Sequence, residues 1–228
     1  MNKKVVVLTG AGISAESGIK TFRDSDGLWE EYRIEDVATY EAWVRNPGLV
    51  LDFYNKRRMQ LATVEPNAAH HALVSLEQRY EVQIITQNVD DLHERAGSSK
   101  ILHLHGELTK VRSTGDPQLV THIGYREIKP GDVCEKGFQL RPHIVWFGEA
   151  VPLIDEAVDL TSQADILIVI GTSLLVYPAA GLINYTRPEC AIYLVDPGNL
   201  QVSGIKNLTF IQEKAGIGVP GLVNKLLQ

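Results

Sequence analysis

Residues 10–23 read Gly-Ala-Gly-Ile-Ser-Ala-Glu-Ser-Gly-Ile-Lys-Thr-Phe-Arg, and they follow an apolar run at 5–8 that is typical of a buried strand. Gly10, Gly12 and Ala15 match the G-x-G-x-x-(G/A) pattern of a strand-to-helix turn that binds a dinucleotide pyrophosphate. The first Gly permits a tight turn, the second lets a phosphate approach bare backbone, and the small third residue lets the helix pack on the strand. The pattern alone is a weak indication, because Gly-rich turns serve many α/β proteins.

The acidic residues that follow argue against an ordinary nicotinamide dehydrogenase. In that class a second strand ends in an Asp or Glu about 20 residues after the turn, and this acid binds the ribose. The acids at this distance follow no strand-like run; they are Glu30, Glu31, Glu35 and Asp36. The next strand-like run is 82–86, and it leads into Gln87-Asn88-Val89-Asp90-Asp91. Hydride transfer is therefore the least favoured activity.

The composition excludes several classes of protein. With 228 residues, 44% hydrophobic and 22% charged, the chain suffices for one large domain or a domain with a subdomain. A formal net charge of -6 without a basic stripe predicts no nucleic-acid partner. Two cysteines form no disulfide framework and predict a cytoplasmic protein. The uncharged stretch 166–183 contains Gly171-Thr172-Ser173 and Pro178, so it predicts a strand, a loop and a helix rather than a membrane span.

Short apolar strands and helices alternate along the chain. The strand-like runs lie near 4–9, 82–86, 101–104, 144–147, 165–170, 191–195 and 208–211. The helical patterns lie near 14–20, 49–63, 67–79, 89–96, 151–163, 178–186 and 219–227. Because the strands are β-branched and apolar on both faces, they predict an α/β fold with a Rossmann-like, doubly wound parallel sheet.

Two insertions interrupt this alternation. Residues 31–66 form an amphipathic helical stretch, and residues 108–143 are polar and rich in turns. We expect these two insertions to form a smaller lobe within a single domain, 1–228. The larger lobe then comprises about 1–30, 67–107 and 144–228. A cleft between two lobes is a usual place for a ligand.

The turn at 10–23, with Thr86-Gln87-Asn88-Val89-Asp90 and His105-Gly106, resembles the sirtuin family of NAD-dependent protein-lysine deacylases. Further segments occur in family order across nearly the whole chain; they are Val145-Trp146-Phe147-Gly148-Glu149, Gly171-Thr172-Ser173, Val195-Asp196 and Ala215 before Val219-Pro220. The resemblance implies one catalytic domain in which NAD and an acylated lysine of a protein substrate meet between the lobes.

The resemblance also implies a chemistry for particular residues. In sirtuins the acyl oxygen attacks the nicotinamide ribose, nicotinamide leaves, and a His then helps a ribose hydroxyl to attack the intermediate. His105 corresponds to this general base, and a His suits the role because its unperturbed pKa is about 6.5. Asn88 is the second residue expected to be catalytic, and with Asp90 it orients the nicotinamide and its ribose. His103, two residues from His105 on the same strand face, is expected to pack or to support the site, and is the alternative base.

The resemblance assigns two larger sets of residues to binding. The residues expected to bind NAD are Gly10, Ala11, Gly12, Ala15, Glu16, Phe22, Arg23, Trp29, Gln87, Asn88, Val89, Asp90, His105, Gly171, Thr172, Ser173, Asp196 and Ala215. The residues expected to bind the acylated substrate are Ala38, Tyr54, Arg57, Val145, Phe147, Gly148 and Glu149. Simpler roles stay open for some of them: Asn88 or Asp90 as a cap of the next helix, 171–173 as a helix cap, and Phe22 as a core residue.

Tyr54-Asn55-Lys56-Arg57 indicates which acyl group is removed. Tyr54 and Arg57 are i, i+3 neighbours if this stretch is helical, and the pair resembles the Tyr-x-x-Arg of the bacterial class III sirtuins that remove succinyl and malonyl groups. Ala38 matches the small residue that widens the acyl pocket in that subgroup. Arg57 could pair with the carboxylate of such an acyl chain. The alternative is an amphipathic helix with a snorkelling Arg.

The chain departs from the family where most sirtuins hold zinc with two Cys pairs. The matching region, 108–141, contains only Cys134, and the nearest other ligand types are His122 and His143. We expect a lobe without zinc, stabilised by packing of Leu119, Val120, Ile123, Tyr125 and Phe138. The alternative is a remodelled metal site with Cys134, His122 and a carboxylate.

Two rival functions use the same cofactor. A mono-ADP-ribosyltransferase would deliver ADP-ribose to another nucleophile, and a catalytically silent protein would only bind NAD or ADP-ribose. The retention of His105, Asn88 and Asp90 disfavours the silent protein, which does not need a base. Pro197 after Asp196 is a departure from the family, and it removes a backbone donor where the resemblance implies contact with the adenosine. The sequence does not indicate an oligomeric state.

Overall fold

The computed structural model describes residues 3–20, 28–29, 32–172, 176–199 and 204–228, with backbone alone at 28–29. The strands are β1 Lys4–Thr9, β2 Leu28–Trp29, β3 Tyr32–Arg33, β4 Glu81–Thr86, β5 Ile101–His103, β6 Gly106–Ser113, β7 Val120–His122, β8 Leu140–Ile144, β9 Ile166–Ile170, β10 Ala191–Val195 and β11 Leu208–Ile211. The α-helices are α1 Ile34–Val37, α2 Tyr40–Arg45, α3 Pro47–Leu61, α4 Ala68–Leu76, α5 Leu92–Ala96, α6 Ile154–Ser162 and α7 Ala215–Leu227.

Six strands form one parallel sheet in the order β11-β10-β9-β1-β4-β5. Val7 of β1 lies in register with Ile84 of β4 on one side and with Ile168 of β9 on the other. The chain adds β4 and β5 on one side of β1, and then β9, β10 and β11 on the other side, as in a Rossmann fold. The strand order therefore reverses between β1 and β9. The predicted α/β fold with a doubly wound parallel sheet is confirmed.

The alternation of side chains along β1 builds a core on each face of this sheet. Val5 and Val7 pack with α4 and α7 on one face, whereas Val6 and Leu8 pack with α6 and a 3₁₀-helix on the other. Each of these four side chains is at most 3% exposed. Burial on both faces explains the unbroken apolar run that the sequence shows.

A smaller lobe with its own core stands beside the parallel sheet. It contains a three-stranded antiparallel sheet in the order β7-β6-β8. Aromatic side chains of α2, α3 and the segment after β8 fill its centre: the rings of Phe53 and Tyr54 lie 5.0 Å apart, and those of Trp43 and Trp146 lie 5.8 Å apart. The boundaries given above for the two lobes remain a prediction.

Two local predictions were wrong. Residues 144–147 do not form a strand of the parallel sheet, because Ile144 ends β8 of the antiparallel sheet instead. Residues 14–20 form no α-helix; two 3₁₀ turns, Ala11–Ile13 and Ala15–Ser17, precede Gly18, whose positive φ of 96° ends the second turn. Strands β6 and β7 were not predicted, whereas α1 and α2 lie within the stretch 31–66 that was predicted to be helical.

The uncharged stretch 166–183 is divided as predicted into a strand and a helix. It comprises β9 and, after Pro178, most of the 3₁₀-helix Ala179–Tyr185. No helix in the described part of the chain is both long and apolar enough to cross a bilayer.

Two neutral histidines lie buried beside β1 and β4. His93 Nε2 lies 3.1 Å from the hydroxyl of Thr9, which donates to Thr86 Oγ1 at 2.8 Å. The ring of His70 packs edge-on against that of His93, with centroids 5.0 Å apart, and His70 Nδ1 accepts the Asn67 N–H. Burial, with a smaller contribution from the charge of His71, lowers the pKa of His70 from 6.5 to about 4. The site is therefore suited to an uncharged imidazole.

We expect the free energy of unfolding to fall as the pH drops from 6.5 to 4, by up to about 3 kcal/mol from His70 alone. The pKa of His70 is lower in the folded than in the unfolded chain, so the unfolded chain takes up the proton first in this window. Urea unfolding at several pH values measures the slope. His70→Gln should reduce it, because Gln can keep the capping bond to Asn67 without titrating. His71→Gln, at an exposed position of the same helix, should reduce it only slightly, because the charge of His71 is the smaller of the two causes that lower the pKa of His70. Equal slopes for wild type and His70→Gln would contradict the assignment.

Candidate active site

The predicted site residues gather where the parallel strands end. Five segments leave the same edge of the sheet, each at the carboxyl end of its strand. They are the turn after β1, the segment 87–91 after β4, His105 after β5, Gly171-Thr172 after β9 and Asp196 after β10. Because β1 and β9 are neighbours at the point where the strand order reverses, this edge is the usual ligand site of such a sheet.

Two glycine-containing loops touch at this point. Gly12 N donates to Gly171 O at 2.9 Å, and a Cβ added at Gly12 would lie 2.6 Å from Gly171 Cα. Gly171 has a φ of 60°, a conformation that glycine adopts readily. The close approach leaves bare backbone where the sequence pattern expects a pyrophosphate, so the turn fits a dinucleotide.

Asn88, Ser14 and Asp90 form a buried polar cluster beside this turn. Asn88 Nδ2 donates to Gly10 O and to Ser14 Oγ, each at 3.2 Å, and Ser14 Oγ donates to Asp90 Oδ2 at 3.0 Å. Asp90 Oδ1 also accepts the Leu92 N–H at 3.2 Å, so the capping alternative for Asp90 coexists with a place in the site. Burial raises the pKa of Asp90, and the donors Leu92 N–H and Ser14 O–H oppose that rise.

Ser14 was missed by sequence reasoning. Its signal was a hydroxyl at a variable position of the glycine pattern, inside a turn of small and apolar residues.

His105 is arranged as a base. Its Nδ1 lies 3.1 Å from Gln87 O, and because a carbonyl only accepts, Nδ1 carries the hydrogen and Nε2 of the neutral ring carries the lone pair. Burial lowers the pKa of His105, with a smaller opposing effect of the Gln87 carbonyl. The His105 carbonyl accepts the Val145 N–H at 2.9 Å, which joins the predicted base to the segment 145–149, where substrate contacts are expected.

His103 is far less suited to act as the base. Its Nδ1 lies 3.1 Å from Asn88 O, and its Nε2 lies 2.7 Å from Glu94 Oε1. With both ring nitrogens engaged by oxygen acceptors and only 9% of the residue exposed, His103 has no free lone pair for a substrate proton. This environment favours the supporting role.

Other residues expected to bind the cofactor make contacts within the protein. Gln87 Nε2 donates to Thr172 Oγ1 at 3.3 Å, and Asp196 Oδ1 accepts the Gly198 N–H at 2.8 Å. Glu16 Oε2 accepts the Gly216 N–H at 2.7 Å in the first turn of α7, which starts at Ala215, where a carboxylate is favourable for the helix. Their roles toward a cofactor remain predictions.

Four predicted positions are described only partly or not at all. Phe22, Arg23 and Ser173 lie outside the described residues, and Trp29 is described only by the pairing of its backbone with Tyr32. Of the two remaining cofactor positions, Ala11 begins the first 3₁₀ turn and the Val89 carbonyl accepts the Leu108 N–H.

The segment after β8 brings the expected acyl-pocket residues together. Phe147 N donates to Ala38 O at 2.9 Å, and Trp146 Nε1 donates to Tyr54 Oη at 3.0 Å. Phe147 itself is 45% exposed, and Gly148 follows with a φ of 87°. The segment therefore links His105, through Val145, to Ala38 and Tyr54.

Tyr54 and Arg57 lie on α3, as expected. Burial raises the pKa of Tyr54, so its hydroxyl keeps its proton, and the Trp146 N–H and the charges of Arg57 and Arg141 partly oppose this effect. The guanidinium carbon of Arg57 lies 5.8 Å from the centroid of Phe53. Arg57 is 7% exposed, so the alternative of a snorkelling side chain is wrong.

The carboxylate of Glu149 accepts hydrogen bonds from other residues of the chain. Its carboxylate accepts from Arg141 Nη1 at 2.8 Å, from Arg112 Nη2 at 3.2 Å and from Trp146 N at 2.8 Å. Burial raises the pKa of Glu149, but these donors outweigh it and the net pKa is lowered. Arg141 in turn stacks on Trp146, 3.3 Å from the ring centroid. This network favours a role for Glu149 in holding the segment; substrate contact remains a prediction.

Residues of the types that bind metals come together in one cluster of the described chain. Within the described ranges, the one group of three whose ligand atoms all lie within 4.8 Å of one another is Glu94, His103 and Glu107. It includes neither Cys134 nor His122. Cys134 Sγ instead lies 3.3 Å from Ser113 Oγ and donates to it.

Comparison with known proteins gives consistent results. A family model described as "Sir2 family" matches residues 10–178. The chain is 56% identical over 226 residues to an NAD-dependent protein deacylase of Helicobacter pylori, covering 99% of this chain and 98% of the relative. It is 52% identical over 232 residues to an NAD-dependent protein deacylase of Bacteroides thetaiotaomicron, covering 99% and 98%.

Solved structures agree in fold. A Sir2 homologue in complex with NAD superimposes with a TM-score of 0.89 at 41% identity, covering 99% of this chain and 90% of that chain. A Sir2 homologue in complex with ADP-ribose gives a TM-score of 0.89 at 41% identity, covering 99% and 94%. With a matching family model over most of its length and relatives of this identity, the chain belongs to the Sir2 family.

Proposed function

We propose that this protein is an NAD-dependent protein-lysine deacylase. The observation that carries the proposal is the pairing of His105 Nδ1 with the Gln87 carbonyl, one residue from the Asn88-Ser14-Asp90 cluster. It combines a base whose lone pair is on Nε2 with amide and carboxylate groups at the ligand edge of a Rossmann-like sheet. The names of the close relatives support the same activity.

Each part of the site has a task in this proposal. When bound, NAD supplies a ribose carbon activated by its bond to nicotinamide. The turn from Gly10 to Ala15 binds the pyrophosphate, while Asn88 and Asp90 orient the nicotinamide end. His105 Nε2 takes the proton from a ribose hydroxyl, and the Gln87 carbonyl keeps the ring in the tautomer that allows this.

Mass spectrometry of lysine peptides tests the activity. Peptides bearing acetyl-, succinyl- or malonyl-lysine are incubated with and without NAD. Free lysine, nicotinamide and acyl-ADP-ribose, formed only with NAD, are the products expected. ADP-ribose attached to protein would favour the transferase instead, and intact peptides with no nicotinamide would favour the silent NAD-binding protein.

We further propose that acidic acyl chains, succinyl and malonyl, are preferred over acetyl. The support is the placement of Arg57 and Tyr54 on one face of α3, with Tyr54 tied to the substrate segment through Trp146. A carboxylate entering this poorly solvated region would gain charge-assisted bonds, whereas an acetyl group offers the guanidinium no partner.

Replacing Arg57 should reverse this preference. For Arg57→Met we expect kcat/KM on succinyl-lysine peptides to fall about ten- to a hundred-fold, since charged hydrogen bonds contribute about 1.5–3 kcal/mol. Activity on acetyl-lysine peptides should change little. Lys56→Met is the matched control, because Lys56 pairs with Asp52 on the exposed face of the same helix. An unchanged succinyl preference in Arg57→Met would remove Arg57 from the acyl pocket.

We also infer that the smaller lobe needs no zinc. The support is the donor set: one thiol, Cys134, already bonded to Ser113. Of the residues expected to stabilise the lobe, Ile123 packs against the core with Ile128 and Leu140, whereas Val120, Tyr125 and Phe138 are exposed, which corrects that part of the expectation. Elemental analysis after dialysis against a chelator should find well below one equivalent of zinc and an unchanged melting temperature. One tightly held equivalent would overturn the inference.

A further inference from the structure

His103 lies between two acceptors behind the candidate active site. On one side Asn88 O is 3.1 Å from Nδ1, and on the other Glu94 Oε1 is 2.7 Å from Nε2. A neutral imidazole has one N–H and one lone pair, and a lone pair facing either oxygen would be repelled. Only the imidazolium, with a hydrogen on each nitrogen, satisfies both contacts.

The Asn88 carbonyl that His103 holds belongs to the segment that aligns the base. The Asn88 N–H is bonded to Thr86 Oγ1 at 3.0 Å, and the preceding carbonyl, Gln87 O, accepts from His105 Nδ1. Two successive carbonyls, Gln87 O and Asn88 O, are thus hydrogen-bonded to the two histidines that flank Leu104. Fixing the Asn88 peptide limits rotation of the Gln87 peptide, and so keeps the acceptor of His105 in place.

We propose that Glu94 and His103 are positioning residues, in which a protonated His103 held by Glu94 fixes the Gln87–Asn88 backbone and thereby the orientation of His105. The proposal rests on the role proposed above for His105 as the base. Neither side chain touches the reacting groups in it. Glu94 acts through His103, and His103 acts through the backbone.

The charges around His103 favour its protonated form. Burial lowers the pKa of His103, but the hydrogen bond and charge of Glu94 and the charge of Glu107 outweigh it, and the net pKa is raised. Buried Asp90 on the preceding loop is also stabilised as a carboxylate by His103. The neighbouring His93 adds no positive charge, because burial and, to a lesser degree, the charges of His70 and His103 lower its pKa. Lys110 pairs with Glu107 and opposes the effect of that carboxylate.

Loss of this proton should weaken activity at high pH. When His103 deprotonates, the carboxylate of Glu94 retains the hydrogen on Nε2, so the hydrogen on Nδ1 is lost and Asn88 O loses its donor. The pH profile of kcat/KM should therefore have an alkaline limb from His103, separate from the acid limb from His105.

Glu94→Gln tests the pair without touching the base. Without the carboxylate, we expect the alkaline limb to move about one to two pH units toward neutrality, while the acid limb stays in place. Glu81→Gln is the matched control, because Glu81 pairs with Lys100 on an exposed edge, and it should leave both limbs unchanged. An alkaline limb that does not move in Glu94→Gln would overturn the positioning role.

A spectroscopic readout keeps this result independent of activity. In a pH titration followed by ¹⁵N spectra of the ring nitrogens, His103, assigned by its absence in His103→Gln, should keep both ring hydrogens to a higher pH in the wild type than in Glu94→Gln. In the wild type, His105 should become neutral at a lower pH than His103. A wild-type His103 that loses its second ring hydrogen at the pH of a free imidazole or below would refute the inference even if deacylation is found, whereas a His103 that stays protonated above that pH without deacylase activity would refute only the proposed function.

Discussion

His105→Ala should lower deacylation by about 10²- to 10⁴-fold, the usual contribution of a general base. The change removes Nε2, the atom that we propose takes the proton of the ribose hydroxyl. His105 is half-buried and its ring makes one bond, to Gln87 O, so the fold should survive the truncation. Release of free lysine peptide, followed by mass spectrometry, measures the loss.

A second readout separates loss of the base from loss of the site. Departure of nicotinamide precedes the step that needs the base, so exchange of labelled nicotinamide into NAD should survive in His105→Ala. His122→Ala, at an exposed histidine of β7, should retain both activities. Full deacylation by His105→Ala would transfer the role of the base to another group, and loss of exchange together with deacylation would indicate a damaged site instead.

The pH dependence of kcat/KM in the wild type should also reflect the titration of His105. Because burial lowers the pKa of His105, the ring stays neutral somewhat below pH 6.5, and the acid limb of kcat/KM should lie below the value for a free imidazole. Activity is lost as the pH falls through this lowered pKa, since the protonated ring accepts no proton.

Gly106→Ala should be among the most destabilising single substitutions in the chain. Gly106 directly follows the base, has a φ of 82°, and any Cβ there would run into the carbonyl oxygen of His143 on β8. The clash is with backbone, so no side chain can turn away to relieve it. We expect a loss of about 4 kcal/mol or more, which lowers Tm by roughly 8–16 °C for a chain of this size.

Gly137→Ala isolates the conformational part of that loss. Gly137 has a φ of 78°, almost that of Gly106, but an added Cβ would meet nothing within 4 Å. It should cost only the about 1–2 kcal/mol of a left-handed alanine, or roughly 2–8 °C in Tm. Calorimetry of the two variants compares them, and equal melting temperatures would show that the contact with His143 can relax.

The parallel sheet could be predicted from the sequence because the apolar pattern of its central strands has one structural interpretation. The central runs, β1 and β9, are β-branched, apolar and buried on both faces, which is typical of strands between two covering layers. The run at 144–147 looked the same, yet Ile144 ends an antiparallel strand. A short apolar run does not reveal which sheet it joins, since that depends on partners far away in the chain.

Strand β6 was missed for a different reason. Its buried positions include Thr109 and Ser113 beside Leu108 and Val111, so no alternation of apolar and polar residues marks it. The hydroxyl of Ser113 is buried because it accepts the N–H groups of Gly115 and Asp116, a contact that only the folded turn creates.

The site residues could be predicted where a local sequence pattern marks them. The glycine turn, the 87–91 segment and His105 were all identified from local patterns, and they meet at one edge of the sheet. Ser14 and Glu94 were not, because what makes them relevant is a partner distant in sequence: Asp90 for Ser14 and His103 for Glu94. Charge and burial, which set their behaviour, exist only after folding.

The central place of β1 has a consequence for how the protein is made. This strand leaves the ribosome before the other strands of the parallel sheet, yet Lys4 must wait for its bond to Asp165, 161 residues later in the chain. At about 5–20 residues per second, synthesis of that stretch takes roughly 10 to 30 s. During this interval Val5 to Leu8 lack the neighbouring strand on one side, so the nascent chain offers chaperones an apolar segment until β9 emerges.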